Sequence, residues 1–324
     1  MFADLYVVSA VSNPERYRSR YVLYKDFEKR CIDAGAKLYT VETAFGERPH
    51  IITQAGNPQH VQLRTSSQIW HKENMLNIGV SRLPHDWKYV AWIDTDVLFA
   101  RPDWVAETVH QLQHFDVVQM FSHVMDLDPS FSPAPQFYAE KPASYIYCHH
   151  ASMIDPAAGV SLKKGGYGQN AVAGPEKFYW HPGFAWAARR SAWDALGGLF
   201  DYSIVGGADY LMSIALTRAQ EFPGWTQHGS FGRYLNEWRE RADRHIRGNV
   251  GFVPGMVMHN WHGRKAQRQY KTRWRIYNDN KYEPEVDLKR DWQGLWQLTD
   301  HNPKLRDDIR NYFRARNEDS IDVQ

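Results

Sequence analysis

The chain has only two cysteines, Cys31 and Cys148, in 324 residues. That excludes a disulfide framework and a paired-cysteine metal site, and it suits buried, idle thiols in a reducing compartment. No apolar run approaches the about 18 residues that a bilayer-crossing helix needs. The opening MFADLYVVSAVSNP lacks the basic region, apolar stretch and small-residue cleavage site of a secretory signal, so a cytoplasmic protein is expected. Internal repeats and low-complexity tracts are lacking as well, which excludes a solenoid and a largely disordered chain.

What is present is an ordinary globular composition, 43% hydrophobic, with 13 Trp and 18 Tyr to bury or to stack on ligands. The net charge is +2, yet residues 233–275 hold 11 Lys and Arg against 3 acids, a local +8 that leaves about −6 elsewhere. Such a patch suits a diphosphate, a nucleic acid or another polyanion, or is simply a solvated face.

Leu5–Val11 is a short apolar, β-branched run that stops at Ser12-Asn13-Pro14, the pattern of a buried strand entering a turn. Residues 17–34 carry Tyr21, Tyr24, Phe27 and Cys31 at helical spacing up to Gly35, and Ala36–Val41 reads as a second strand. A β-α-β opening of this kind predicts an α/β fold with a mostly parallel sheet covered by helices. Gln68–Val80 predicts a helix with Ile69, Leu76 and Val80 on one face. Lys72, Glu73 and Asn77 border that face, placed to meet a ligand or to form ordinary salt bridges. A helix over Trp104–Gln113, a strand over Asp116–Phe121, an irregular stretch from about Asp126 to His181 and a helical, amphipathic tail over Asp287–Arg316 complete the reading.

Three motifs carry chemistry. In Lys88–Phe99, KYVAWIDTDVLF, an apolar strand gives out into Asp94 and Asp96, and strand ends are where α/β sheets keep their reactive groups. Carboxylates suit Mg²⁺ or Mn²⁺, and such a cation stabilises the anion released when a glycosyl–phosphate bond breaks. In Gly183–Leu216 a strand, Arg189-Arg190 and Gly197-Gly198 precede Asp209 at a helix start. Asp209 either takes a proton from an attacking hydroxyl or caps its helix. In Met256–Lys265, MVMHNWHGRK, an apolar strand delivers His259 and His262. Strict strand alternation would point the two imidazoles to opposite faces, so that one of them would bind a metal.

The segment W-x-K-E-x-x-L-N-x-G-V-x-x-L-P from Trp70, followed by KYVAWIDTDVLF, resembles GT-A glycosyltransferases. GFAWAARRSAWDALGGLFDYSIVGGADYLMSIAL resembles their acceptor half in the inverting enzymes, although a family Glu-Asp pair is replaced by Ala208-Asp209. The resemblance covers most of residues 5–319, strongly at the three motifs. It implies that Asp94 contacts the donor ribose or the metal and that Asp96 ligates the metal. It further implies that His262 or His259 completes the metal shell, and that Asp209 is the base. Lys265 and Arg268, with Arg264, would offset the leaving diphosphate, while Ser9, Val11 and Glu42, near the ends of the first two strands, lie where base and ribose sit in such a fold or serve as plain scaffold. The implied layout is a nucleotide-sugar-binding half over 1–125, a mobile loop region over 126–182, an acceptor-binding and metal-completing half over 183–275 and a helical appendage over 276–324. A loop over 144–175 would close on the donor.

HNWHGRK with Tyr270, Arg273 and the tail's YFRARNED further resembles glycosyltransferase-like proteins of phages and large viruses. This implies a UDP-sugar donor, Mn²⁺ or Mg²⁺, and a hydroxymethylated base in phage DNA as acceptor, with a saccharide or lipid-linked glycan as the rival. A sugar-1-phosphate nucleotidyltransferase would carry a Gly-rich loop after the first strand, where Ser9–Pro14 stands instead. A non-catalytic DNA-binding module would leave Asp94 and Asp96 without a task.

Overall fold

A computed structural model describes residues 5–129, 149–152, 159–160, 178–218, 221–270 and 272–321; at 149–152, 159–160, 178–180 and Lys265 it is the backbone that is described. The chain opens with β1 (Leu5–Ser12), α1 (Arg18–Asp33), β2 (Lys37–Phe45), β3 (His60–Thr65), α2 (Lys72–Val80) and β4 (Tyr89–Ile93). It continues with β5 (Val97–Phe99), α3 (Trp104–Gln111), β6 (Val117–Gln119), β7 (His123–Asp126), β8 (His149–Ser152), β9 (Gly159–Val160) and β10 (Phe178–His181). Next come β11 (Ala185–Arg189), α4 (Arg190–Leu196), α5 (Ala208–Thr217), α6 (Gly229–Arg241), β12 (Val250–Phe252) and β13 (Met256–His259). The chain finishes with α7 (Arg275–Asn280), β14 (Leu288–Arg290), β15 (Trp296–Leu298) and α8 (Pro303–Ala315).

The central sheet has seven strands in the order β12-β6-β11-β4-β1-β2-β3. Every strand is parallel to the others except β11, which runs antiparallel to β4 and β6. Successive side chains on a strand face opposite ways, and β1 shows why an unbroken apolar run is needed. Leu5, Val7 and Val11 join Tyr24 and Phe27 of α1 and Trp104 of α3 on one face, while Tyr6 and Val8 join α2, α4, α5 and α6 on the other. A Cβ at Gly79 would lie 2.5 Å from Val8 and 2.7 Å from Val41, so α2 reaches the sheet only because that position has no side chain.

A second, six-stranded sheet runs β5-β13-β7-β8-β10-β9. Of the stretch read as irregular, residues 130–148, 153–158 and 161–177 lie outside the described residues, as does nearly all of the loop 144–175; the described remainder supplies strands to this sheet. Cys31 is buried, and burial pushes its thiol up; Cys148 falls outside the described residues. Among the described residues no helix is long and apolar enough to cross a membrane.

The tail departs from the helical expectation. Asp291 and Gly294 turn the chain between β14 and β15, so a hairpin precedes α8, and Leu288, Leu295, Leu298, Leu305, Ile309, Tyr312 and Phe313 sink into the same core as β1 and α5. Apolar content at helical spacing did not register Gly294, whose positive φ of 84° closes that turn. Residues after α8 also stitch the chain ends together. Asp319 accepts from the free backbone amides of Arg18 and Ser19 at 2.8 Å each, capping α1, whose own N-cap side chain makes no such bond. Glu318 is buried and takes a forked pair from Arg20 at 2.5 and 2.7 Å and a third bond from Arg316 at 2.6 Å.

Burial opposes the charge of Glu318, but Arg20 and Arg316 more than offset it and hold the carboxyl well below the usual carboxylate range. Its contribution to stability is therefore present at neutral pH and lost as pH falls through that depressed value. Glu318→Gln should cost about 3–5 kcal/mol at pH 7, read by urea denaturation, and the variant's stability should fall less steeply than the parent's towards acid.

Candidate active site

The segment Asp94-Thr95-Asp96 is where the chain changes sheets. Asp94 directly follows β4, its amide donating to Phe184 O at 2.8 Å, and three residues later Val97 enters β5 of the second sheet. The carboxylates are thereby separated into two environments. Asp94 forms an ion pair with Lys72 at the start of α2. Asp96 is carried to β13, where Asn260 N donates to its carbonyl at 2.7 Å.

Pairing in the second sheet sets His259 of β13 opposite Val97 on one side and Asp126 on the other. Asp126 Oδ1 lies 2.8 Å from His259 Nδ1, which turns His259 Nε2 towards His262 Nε2 at 3.1 Å. Asp96 Oδ2 is 2.9 Å from His262 Nε2 and 3.7 Å from His259 Nε2. The strand ends at His259, so the alternation that would have turned the imidazoles apart no longer applies and both converge on Asp96. Gly263 then takes φ +85°, and a Cβ there would lie 2.8 Å from Asn317 O and 2.9 Å from Glu318 Cα, so the tail can cross the turn only over a bare backbone.

One carboxylate, a hard donor, and two imidazoles, borderline donors, with ligand atoms all within 4.8 Å of one another, form a set able to hold a first-row divalent ion such as Mn²⁺. Asp96 Oδ1 is buried with no hydrogen-bond partner among the described residues, and a buried acceptor left unpaired is costly unless something fills the position. Asp126 behind His259 is the kind of outer partner that fixes a ligating imidazole. The residues present therefore fit a metal. Burial opposes charge on Asp96, but His262 and His259 outweigh it and hold that carboxyl well below its ordinary range. Burial, then Arg268, pushes His262 down to about 4, leaving its imidazole neutral at physiological pH.

These groups line one wall of a cavity of about 940 Å³, of the size of a cofactor or substrate cleft. Val11 and Arg20 lie in its lining, as do Lys72, Asp94, Asp209 and Arg268. Asp209 sits in the first turn of α5, where its Oδ1 accepts from Tyr210 N at 2.8 Å; a Cβ on Gly183 would press to 2.7 Å on its Oδ2. Glu73, bordering the predicted helix face, turns out to line the cavity while buried, and burial, reinforced by Asp209, pushes its carboxyl up to about 8 even though Lys72 opposes the shift. Burial works against the charge on Lys72, but Asp94, Glu73 and Asp209 prevail and keep it raised.

Other predicted residues have structural tasks. Ser9 is buried and donates to Ile93 O at 2.9 Å, tying β1 to the end of β4 outside the cavity lining. Glu42 does not face a ligand either; its carboxylate accepts from the amides of Ile51, Ile52 and Thr53 and from the Thr53 hydroxyl at 2.7–3.0 Å, organising the loop after β2. Asn77 clamps Leu199, donating to its carbonyl at 2.9 Å and accepting from its amide at 2.8 Å, because α2 turns that face to the core. Arg189 and Arg190 pair with Asp116 and Asp194 at 3.8 and 3.5 Å, away from the cavity lining. The side chain of Lys265 lies outside the described residues. Arg273, Arg316, Trp70 and Trp274 line the cavity without having been assigned to it by sequence reasoning.

Two outcomes follow. Asp126→Asn should weaken Mn²⁺ binding by roughly 10- to 100-fold in a paramagnetic-resonance titration, and Asp96→Ala should remove it. Because the folded protein holds the Glu73 proton up to about 8, the unfolded chain releases it first and stability falls as pH rises from about 5 to 8. Glu73→Gln should flatten that limb and gain about 2 kcal/mol at pH 8, measured by chemical denaturation across pH.

No protein-family model and no curated protein sequence matches the chain. Among solved structures it is similar to the catalytic domain of Drosophila β1,4-galactosyltransferase 7 in complex with xylobiose, at 11% identity and a TM-score of 0.40, covering 93% of this chain and 98% of that one. It is likewise similar to a mutant of that enzyme in complex with manganese, UDP-Gal and xylobiose, at 10% identity, a TM-score of 0.40 and the same coverage. A third is S. aureus TarS 1–349, at 11% identity and a TM-score of 0.32, covering 65% of this chain and 54% of that one. Likeness at this level determines neither substrate nor chemistry, which have to be read from the side chains.

Proposed function

We propose that the protein is a metal-dependent glycosyltransferase that moves a sugar from a nucleotide-sugar, a UDP-sugar, to an acceptor hydroxyl with inversion at the anomeric carbon. The observation that carries this reading is the Asp96–His259–His262 cluster, with its unpaired buried Asp96 Oδ1, opening into the same cavity as Asp209. Asp96, His259 and His262 hold the divalent cation. When bound, it supplies charge to offset a diphosphate that departs.

In the proposed reaction the acceptor oxygen attacks the anomeric carbon, the bond from that carbon to the phosphate oxygen breaks, and its electron pair leaves with the diphosphate. The acceptor proton passes to Asp209. Asp94, oriented by Lys72, faces the donor's ribose or sugar hydroxyls, and Val11 borders the nucleotide. Arg268 is 4% exposed, lines the cavity and donates to Tyr270 Oη at 3.1 Å and Gly263 O at 3.2 Å; its Nε has no partner, which suits a diphosphate oxygen. Glu73, held protonated near neutrality, can donate a hydrogen bond to substrate while adding no negative charge beside Asp209.

A saccharide is the acceptor that the cavity favours. Arg268 and Arg273, central cations of the basic segment, are buried in the cavity wall and do not spread over an outer face as a duplex backbone would require. Trp70, Trp225 and Trp274 border the cavity and offer apolar surface to a sugar ring. The hydroxymethylated base of phage DNA is the second reading, supported by the cations and aromatics of that segment.

Nucleotide sugars screened by thermal shift with Mn²⁺ should include one that raises the melting point. Asp209→Asn should lower turnover by about 10²-fold or more while donor binding survives, and near-normal turnover in that variant would refute the base role. Acceptor binding should change little between low and high salt for a neutral saccharide, and fall steeply for DNA.

A further inference from the structure

Four arginines, Arg20, Arg268, Arg273 and Arg316, line the cavity, and the carboxylate that meets any of them among the described residues is Glu318, shared by Arg20 and Arg316. Arg273 is 7% exposed and has no carboxylate partner among the described residues. Its Nη1 reaches the Tyr312 hydroxyl at 3.4 Å, an oxygen to which Arg316 also donates at 2.8 Å. Its Nε is buried with no hydrogen-bond partner. The guanidinium carbon lies over two aromatic rings, 5.1 Å from the Tyr270 centroid and 4.6 Å from that of Trp274.

Its location within the cavity separates it from the diphosphate position. Arg268 is next to Gly263 and acts electrostatically on His262, whereas Arg273 feels Asp209 and lies against Gly206 and Gly207, which directly precede α5. A Cβ on Gly207 would come 2.8 Å from Arg273 Nη2 and 2.1 Å from Trp274, and one on Gly206 would come 3.3 Å from Arg273 Nη1. Two glycines at φ +82° and +86° thus let the guanidinium approach the helix that carries the proposed base. An arginine buried without a counter-ion is costly, and it persists where a ligand supplies the missing charge.

We propose that Arg273 is the specificity determinant of an acceptor subsite for an acidic saccharide, its guanidinium binding a carboxylate or phosphate borne by the sugar whose hydroxyl meets Asp209. This rests on the glycosyltransferase reading and adds the class of acceptor. Trp274 and Trp70, packed beside the same two glycines, would border that sugar.

The test is isothermal titration of D-glucuronate and D-glucose 6-phosphate, with D-glucose as the neutral control, in excess chelator so that the metal site is silent. Glucuronate or the sugar phosphate should bind roughly 10- to 100-fold more tightly than glucose, and the stronger of the two names the anion. Arg273→Gln should abolish that preference, and Arg273→Lys should keep part of it. Mn²⁺ binding, followed by paramagnetic resonance, should be unchanged in both variants, so that loss of metal binding in the parent protein would sink the glycosyltransferase reading separately. Equal binding of glucose and glucuronate, or a preference that survives in Arg273→Gln, overturns the proposal. So does competitive displacement of glucuronate by UDP, which would give Arg273 to the donor, or by a short single-stranded oligodeoxynucleotide, which would give the subsite to nucleic acid.

Discussion

Charge buried without its complement governs this molecule. Asp96 is turned into the protein with Oδ2 facing two imidazoles and Oδ1 without a hydrogen-bond partner among the described residues, and the buried Nε of Arg268 and of Arg273 each lack one there as well. Folding places these groups in low dielectric at a cost, and the hydrophobic clusters on the two faces of the central sheet sustain it. The cavity between them is consequently bipolar. The carboxyl groups of Glu73, Asp94 and Asp209 and the guanidinium groups of Arg20, Arg268, Arg273 and Arg316 all line it, a mixture matched to a ligand that itself carries both hydroxyl donors and oxyanions.

The two sheets divide the work. The central sheet carries Asp94 to its edge and the second sheet receives Asp96, so three residues of crossover deliver two carboxylates to different tasks. Strand pairing does the same for the histidine, since register alone sets His259 between Val97 and Asp126. Close backbone approach at Gly263 and at Gly206-Gly207 brings the remaining groups to the cavity wall.

Much of this was legible in the sequence because apolar runs are local signals. The β-α-β opening, the strand ending at Asp94 and the helix beginning by Asp209 follow from hydrophobic spacing and a turn residue or two. Convergence of His259 and His262 was not legible, because it depends on a strand stopping at one residue, and periodicity does not locate strand ends that finely. Ser9, Glu42 and Asn77 looked like ligands since they are polar residues near strand ends or on a helix beside the motif. Their partners, Ile93 O, the 51–53 loop and Leu199, lie up to 122 residues away in the chain and were invisible to local pattern. Helical spacing places Glu73 toward a ligand or a salt-bridge partner without revealing its burial, and the inward turn of Arg268 and Arg273 runs against the usual expectation for a cationic run.

The closure of the first helix by Asp319, together with the passage of Asn317 and Glu318 over Gly263, has a temporal side. During synthesis the strands of the central sheet can collapse before residues 317–319 have left the ribosome, yet the wall containing Arg20 and Arg316 cannot acquire its counter-ion until Glu318 emerges. Competence for ligand is thus coupled to the synthesis of this late segment, and a nascent chain would reach a compact state before it gained a finished pocket.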